Sequence, residues 1–443
     1  MKDITLALFC LGLLALGTAA PFVMGLGYLW VSLVKPQTLA YGFFQSVPIA
    51  MVFAVASLLS YLLVDRRSPP KLTALHMLLV FFAVWITLTT FNAIHQGPAW
   101  WKWDWAFKEI AFACFLPFVI RSRIHIEAML YVLTVGTVPL VAAAGLKALV
   151  GGGGYGEISV GGTAESLLGE NSTRAMYSVM MIAIVLYLRR HTVIMPRNWI
   201  SNAAVFAYVM LCLLAAVGGY SRTGLVAVVV LGGMLWWFSH YKISLAALMV
   251  VIVAVGFAAM SDEWFARMDT IMNPEEDSSA LSRLDVWAWT WEFVKSHPNG
   301  GGFVSYLSNF GAIPGEERAR AFHSIYFEVL GEHGYVGLAV FLGILLSVLK
   351  MSYGIYRRNK NRPDLLWLSD LSKAVLICGI VYVTGGTFIG IAFQPYIYIL
   401  AVITIALRSY ELRYHEEALG DLNLRKPRFQ SGISQTRRHR PAE

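Results

Sequence analysis

His323-Ser-Ile-Tyr-Phe-Glu-Val-Leu-Gly-Glu-His-Gly-Tyr-Val-Gly337 stands where the longest polar stretch of an otherwise apolar chain ends and a new apolar run begins. The run is long enough to cross a bilayer, which puts a histidine on a helix at its wet end, facing the preceding loop. Imidazole is the one side chain whose ordinary pKa lies near neutrality, so His323 is a candidate proton acceptor. The plainer alternative is a polar anchor that starts the span. Gly331, Gly334 and Gly337 are expected to let neighbouring helices approach closely.

The rest of the chain agrees with that membrane setting. Its 443 residues are 57% hydrophobic and 14% charged, with mean hydropathy +0.60. A soluble chain of this length needs a polar surface that is missing here. Apolar stretches recur throughout, so we expect one polytopic protein rather than a soluble enzyme with an anchor. Cys10, Cys114, Cys212 and Cys378 all fall inside apolar runs, which argues against disulfides and a cysteine-ligated metal. The net charge of +8 fits positive-inside bias and not nucleic-acid binding. Lys2, an apolar run and Ala19-Ala20-Pro21 superficially suggest a signal peptide, which the many later spans make unnecessary; we read it as retained.

Eleven spans are legible at roughly 43–64, 72–91, 105–120, 126–146, 171–188, 200–217, 222–238, 243–260, 330–349, 370–391 and 394–408. Alternate loops with Arg66, Arg67, Lys71, Arg121, Arg123, Arg189, Arg190, Arg197, Lys242 and the 350–362 cluster, together with Lys2 and the tail, hold 23 of the 35 Lys and Arg residues. That side is predicted cytoplasmic. The loops around 92–104, 147–170, 218–222 and 261–322 then face the periplasm of a bacterial inner membrane. Residues 4–34 must cross once, and at about 46 Å they are too long for one straight span, so a break near Gly17–Pro21 is expected. The fold class is therefore all-α, a polytopic membrane protein of about 12 transmembrane helices with a helical periplasmic loop domain. It divides into a bundle over 1–260, a lid over 261–322, further spans over 323–408 and a basic cytoplasmic tail over 409–443.

Several stretches carry sharper readings. The tryptophans of Gly97-Pro-Ala-Trp-Trp-Lys-Trp-Asp-Trp105 suit interfacial anchoring, or alternatively sugar stacking. Gly151–Gly154 with Gly156, Gly161 and Gly162 lacks the Lys-Ser/Thr and the strand–loop–helix context of a phosphate loop, so nucleotide binding is rejected for a flexible outward loop. Asn171 or Ser172 is expected to cap the span that contains Arg174. Arg222, in Gly218-Gly-Tyr-Ser-Arg-Thr-Gly224, opens an apolar helix and is costly there unless paired or set in a wet cavity. The 261–322 loop holds ten acidic and five basic residues, the latter being Arg267, Arg283, Lys295, Arg318 and Arg320. Within it 281–295 reads as an amphipathic helix with Leu284, Trp287, Trp291 and Val294 on one face, capped by Ser282 with Asp285 and ended by His297-Pro298. Asp262, Glu263, Glu275, Glu276 and Asp277 are read as solvated surface and not metal ligands.

An outward histidine, isolated arginines and an aromatic lid over an apolar bundle suit a substrate with a long lipid tail and a compact anionic group. Arginine holds phosphate through a rigid, permanently charged fork. Three blocks carry a resemblance at this point: Ser221-Arg222-Thr-Gly224, then Ser282-Arg283 with Trp287, Pro298 and Gly300–Gly302, then His323–Gly337. In that order they resemble the signature blocks of the O-antigen ligase superfamily, over about 220–340. Gly27-Tyr-Leu-Trp30, Lys35-Pro36, Tyr41-Gly-Phe43 and Glu170-Asn171 also resemble a branch of O-glycosylation ligases, which usually has two asparagines where this chain has Asn171-Ser172.

The resemblance implies a fold similar to C-type glycosyltransferases and an inverting, metal-independent glycosyl transfer without cofactor. The implied donor is an undecaprenyl-pyrophosphate-linked glycan, and the implied acceptor is a hydroxyl of lipid A–core, both met among membrane lipids. It implies His323 as general base, with Arg222 and Arg283 holding the pyrophosphate. Arg174, Arg318 and Arg320 are secondary candidates on position alone, and Glu332 is expected to hold helices together or orient a catalytic partner. A protein O-oligosaccharyltransferase or an O-antigen polymerase shares this chemistry. A flippase would place charges through the mid-bilayer and show internal repeats, which are not found.

Overall fold

The computed structural model describes residues 2–39, 42–65, 69–151, 170–259, 262, 264–265, 278–313 and 318–425. These are all-helical, 83% helix, with no strand among the described residues. The N-terminal half comprises α1 (Lys2–Ala19), α2 (Phe22–Val34), α3 (Ile49–Leu63), α4 (Ala74–Phe91), α5 (Gln96–Val119), α6 (Arg123–Gly151) and α7 (Asn171–His191). There follow α8 (Trp199–Gly218), α9 (Arg222–Phe238), α10 (Lys242–Ala259), α11 (Ser278–Ser296), α12 (Ile325–Asn359), α13 (Leu366–Gly385) and α14 (Pro395–Arg425). The Gly-rich outward loop expected over 151–162 lies, beyond Gly151, outside the described residues, as do Glu263 and Glu275–Asp277 of the acidic loop.

Among the described residues, six helices are long and apolar enough to cross a membrane, within Ala74–Phe91, Arg123–Val150, Trp199–Gly218, Ile325–Asn359, Pro363–Phe388 and Pro395–Glu417. Shorter apolar helices cover Asp3–Ala19, Phe22–Val34, Ile49–Leu63, Arg222–Phe238 and Lys242–Ile252. The chain is thus a multi-pass membrane protein. Burial separates its centre from its rim: 78% and 83% of the apolar windows in Pro363–Phe388 and Pro395–Glu417 are buried, against 22% in Trp199–Gly218. α7 is buried without interruption from Thr173 to Val185 and packs on α8, α9 and α13. α12 joins this centre to α4 and α11, and α14 closes on α5. The last helix runs on to Arg425, past residue 408 where the final span was expected to stop.

The N-terminal segment differs from the single bent crossing expected. The helix does break beside Pro21, but its two arms fold back on each other. Phe9 meets Trp30 with ring centroids 5.1 Å apart, and the Gly42 amide donates to Asp3 at 3.2 Å. Both ends of the hairpin therefore share one end of the bundle. That end also carries Gln37 and Trp101, so the N-terminus starts on the side opposite the one expected from the basic-residue count. Charge counting misses this, because a tight turn of Ala20-Pro21 lets 31 residues return instead of crossing.

α12 contains the main irregularity. Gly334 adopts φ 67, ψ −164, dividing the helix into a short outer arm and a long inner one. A left-handed break frees carbonyls and an amide, and burial requires that they find partners. The loop after α11 supplies them. Gly301 donates to the Gly331 carbonyl and Gly302 to that of Glu332, each at 2.9 Å, while Tyr335 donates to Pro298 at 3.0 Å. Trp85 Nε1 reaches the His333 carbonyl at 2.9 Å. A Cβ on Gly300 would stand 2.5 Å from the Glu332 carbonyl oxygen, and one on Gly334 would strike the carbonyl of Pro298. Gly334 is thus a kink clamped by a loop, and Gly331 faces Phe322 and Thr290 of the lid region; neither simply lets two spans approach.

α11 is the expected amphipathic helix, but with a different inner face. Val286, Thr290 and Val294 are buried, whereas Leu284 and Trp291 are 56% and 50% exposed. Its partners explain the rotation: Thr290 packs toward Gly331, and Val286 joins Ile313 and Phe322 in a small separate core. Ser282 and Asp285 lie inside the helix rather than at its start, which falls at Ser278.

Candidate functional site

His323 is not on the helix. Ser324 occupies the N-cap position of α12, and His323 precedes it with φ 48, a left-handed conformation rare for a residue with a Cβ. Its surroundings impose this geometry. Asn309 accepts from the Arg320 amide at 2.9 Å and donates to its carbonyl at 2.7 Å. Trp287 Nε1 donates to the Phe322 carbonyl at 2.8 Å and its ring stacks on Phe327. The lid thereby fixes residues 320–322, and the backbone turns sharply into α12. On the other side Gly390 comes close enough that a Cβ there would lie 3.7 Å from the His323 amide.

Solvent reaches the His323 side chain. Surrounding protein nevertheless lowers its pKa below 6.5, burial being the largest cause, followed by the charge of Arg283 and, least, that of Arg320. Glu170 and Glu328 pull the other way. The imidazole is consequently neutral at neutral pH, with a ring nitrogen able to accept a proton. These influences also show that Arg283, Arg320, Glu170 and Glu328 share one neighbourhood with His323.

Beneath this point lies a buried charge cluster. Lys102 Nζ of α5 donates to Glu328 at 2.7 Å and to both carboxylate oxygens of Glu332 at 2.9 and 3.0 Å. Glu328 also accepts from the Ala392 amide at 3.0 Å, and Glu332 from the Val304 amide at 2.9 Å. Glu332 therefore ties α5, the clamp loop and α12 together, and Glu328 ties α12 to the segment before α14. Lys102 is placed for this because Gln96–Val119 is helical; the tryptophan-rich stretch read as a loop forms its first turns.

A second group occupies the first turns of α7 and α9. Arg174 is buried and donates to Asn171. Glu170, not Asn171 or Ser172, is the N-cap residue of α7, and its carboxylate accepts from Thr173 at 3.0 Å. Ser221 caps α9 by accepting from Gly224 and donates to Ser172 at 3.1 Å, which fastens the two helix starts. Tyr220, directly before them, is also left-handed at φ 52. Arg222 is half-buried at the mouth of α9, and Thr223 packs toward Gly385. Glu170 joins the two groups, since its charge acts on His323. Arg318 is exposed at the edge of the lid.

Sequence reading singled out His323, Arg222, Arg283 and Glu332 but passed over Lys102, Glu328, Glu170 and the 390–392 segment. A signal existed for two of them: Glu328 and Glu332 are four apart on an apolar helix, and Lys102 is a lone cation among tryptophans. Spacing of that kind asks for a buried ion pair.

Comparison with known families agrees with the blocks that point to this site. Residues 207–342 match the family described as O-Antigen ligase, and residues 1–193 match one described as a family of unknown function (DUF5935). The first match supports the O-antigen ligase superfamily and a membrane glycosyltransferase-like function. No curated protein matches the chain.

Proposed function

We propose that the protein transfers a glycan from undecaprenyl pyrophosphate to a hydroxyl of a lipid A–core acceptor, at the end of the bundle that carries His323. The observation that carries the reading is His323 itself, left-handed, reached by solvent, with a lowered pKa and in the charge field of Arg283 and Arg320. Together with the O-antigen ligase match, this suits a base beside a bound anion. The acceptor oxygen forms a bond to the anomeric carbon as the bond from that carbon to the pyrophosphate oxygen breaks. The electron pair leaves with the lipid pyrophosphate, the acceptor proton passes to His323, and the configuration inverts. Arg222 and Arg283 stabilise the charge that gathers on the departing phosphate, and Arg174 and Arg320 reinforce that field.

Pyrophosphate is already an activated leaving group and the arginines supply cationic charge, so transfer proceeds without a divalent metal. The basic residues at the other end of the bundle, among them Arg358 and Arg408 on the buried Glu411, support a periplasmic orientation for the site. The test uses purified full-length protein with donor and acceptor in excess chelator. His323→Ala should slow transfer by roughly 10²–10⁴ with donor affinity unchanged. Near-normal turnover by His323→Asn or His323→Gln in folded protein would remove His323 from the chemistry.

A further inference from the structure

The tryptophan-rich turns of α5 have no part in the reaction above, yet they face a cleft. Trp101, Trp105, Asp104, Glu109, Gln37 and Gln394 line a polar cavity of about 490 Å³ between α2, α5 and the start of α14. It opens onto an apolar groove of about 550 Å³ along α3, with Met51, Val55, Leu58 and Phe115 in its walls. The two share Tyr28, Gln37, Ala50 and Lys108, so they form one continuous path from polar to apolar. The polar wall at Gln394 is two residues on from Ala392, whose amide Glu328 holds beside the reaction site.

The lining specifies the occupant. Trp101 is 74% exposed, an indole face open to a flat apolar surface such as that of a sugar ring. The Oε1 atoms of Gln37 and Gln394 are buried with no hydrogen-bond partner among the described residues. Buried acceptors left without donors are costly, and hydroxyl groups are the donors that would satisfy them. Charge argues against pyrophosphate: no arginine lines the cleft, Lys35 and Lys108 are balanced by Asp104 and Glu109, and Lys108 already holds Asp104 at 2.6 Å. We propose that this path binds the acceptor as a sugar-headed lipid, its saccharide against Trp101 and Gln394 and its acyl chains along α3. The inference rests on the glycosyl-transfer reading above and adds where the acceptor sits.

Two measurements test it. In transfer assays with lipid A–core glycolipid, Trp101→Ala and Gln394→Leu should each raise the acceptor KM about tenfold, equivalent to about 1.4 kcal/mol, with donor KM unchanged. In the His323→Ala protein with donor withheld, so that no transfer occurs, lipid A–core carrying a diazirine in one acyl chain should label Met51–Leu58. Unlabelled glycolipid should displace it. Unchanged acceptor KM in both variants, or labelling that maps away from α3, overturns the proposal while leaving the transfer reaction intact. Equal labelling by phosphatidylglycerol with the same diazirine chain overturns the saccharide requirement. If no acceptor is ever glycosylated but displaceable labelling of α3 persists, the cleft stands and the transfer reading falls.

Discussion

Replacing Lys102 by methionine tests the charge cluster under the site. The substitution keeps most of the side-chain length and removes three charge-assisted contacts, of 2.7, 2.9 and 3.0 Å. The Lys102 side chain is 12% exposed, and those of Glu328 and Glu332 are 9% and 0% exposed, so solvent replaces little of what is lost. Removing one partner of a buried pair costs about 3–5 kcal/mol. Here the surviving carboxylates also repel each other. Lys102→Met should therefore lose about 3–5 kcal/mol in reversible unfolding in mixed detergent micelles. Glu332→Gln leaves one lysine facing one carboxylate and an oxygen that still accepts from Val304; its loss should be about 1–3 kcal/mol. In the Glu332→Gln background the Lys102 substitution should then cost at least about 1 kcal/mol less than in the parent. A Lys102→Met protein within about 1 kcal/mol of the parent, or strict additivity of the two changes, would refute the cluster as a structural tie.

Two further predictions concern the site's acid–base balance and its clamp. Protonated His323 cannot accept a proton, so activity falls as pH drops through its pKa; because that pKa is lowered, the acid limb of kcat/KM should lie below pH 6.5. Arg283→Ala removes a lowering influence and should move the limb to higher pH, whereas Glu170→Gln removes a raising one and should move it lower; a limb that stays put in both variants contradicts the placement of these charges. Gly334→Ala forces a Cβ into Pro298 at φ 67 and should destabilise by more than the roughly 1–3 kcal/mol of a strained backbone residue alone, read as a lower unfolding midpoint; parental stability would show that the clamp does not hold α12.

The membrane class was legible because apolar runs of spanning length are written directly in composition. The hairpin of α1 and α2 was not, since whether Ala20-Pro21 bends or reverses the chain depends on Phe9 finding Trp30 and Asp3 finding Gly42. The face of α11 was misjudged for a similar reason: Leu284 and Trp291 satisfy the spacing, but Val286 and Thr290 have the neighbours. Among the candidate site residues, His323 and the arginines stand out in the sequence as polar groups beside apolar runs. Lys102 stood out only as a lone cation among tryptophans; its partners could not be read, because they are two glutamates more than two hundred positions away.

Three of the four left-handed non-glycine residues among the described ones show how these pieces act together. Tyr220 and His323 each stand immediately before the N-cap of a helix, and Val304 directs its amide to Glu332. Each such conformation costs of order 1–3 kcal/mol, so the fold must hold all three by other means. The means are visible: Ser221 with Ser172 at α9, Asn309 and Trp287 around residues 320–322, and the Glu332–Lys102 pair under Val304. A histidine on the helix proper would have its backbone amide and carbonyl drawn into the helical ladder and its side chain swept along the helix face. Set one residue before the cap, it instead stands at a junction where the lid, α12 and the 390–392 segment converge. The clamp formed by Gly300–Gly302 fixes where the outer arm of α12 begins relative to the lid, and so fixes where the imidazole stands relative to Arg283. If His323 is the base proposed above, its positioning depends on backbone bonds between a glycine loop and a broken helix, so the glycines around the site matter as much as its charges.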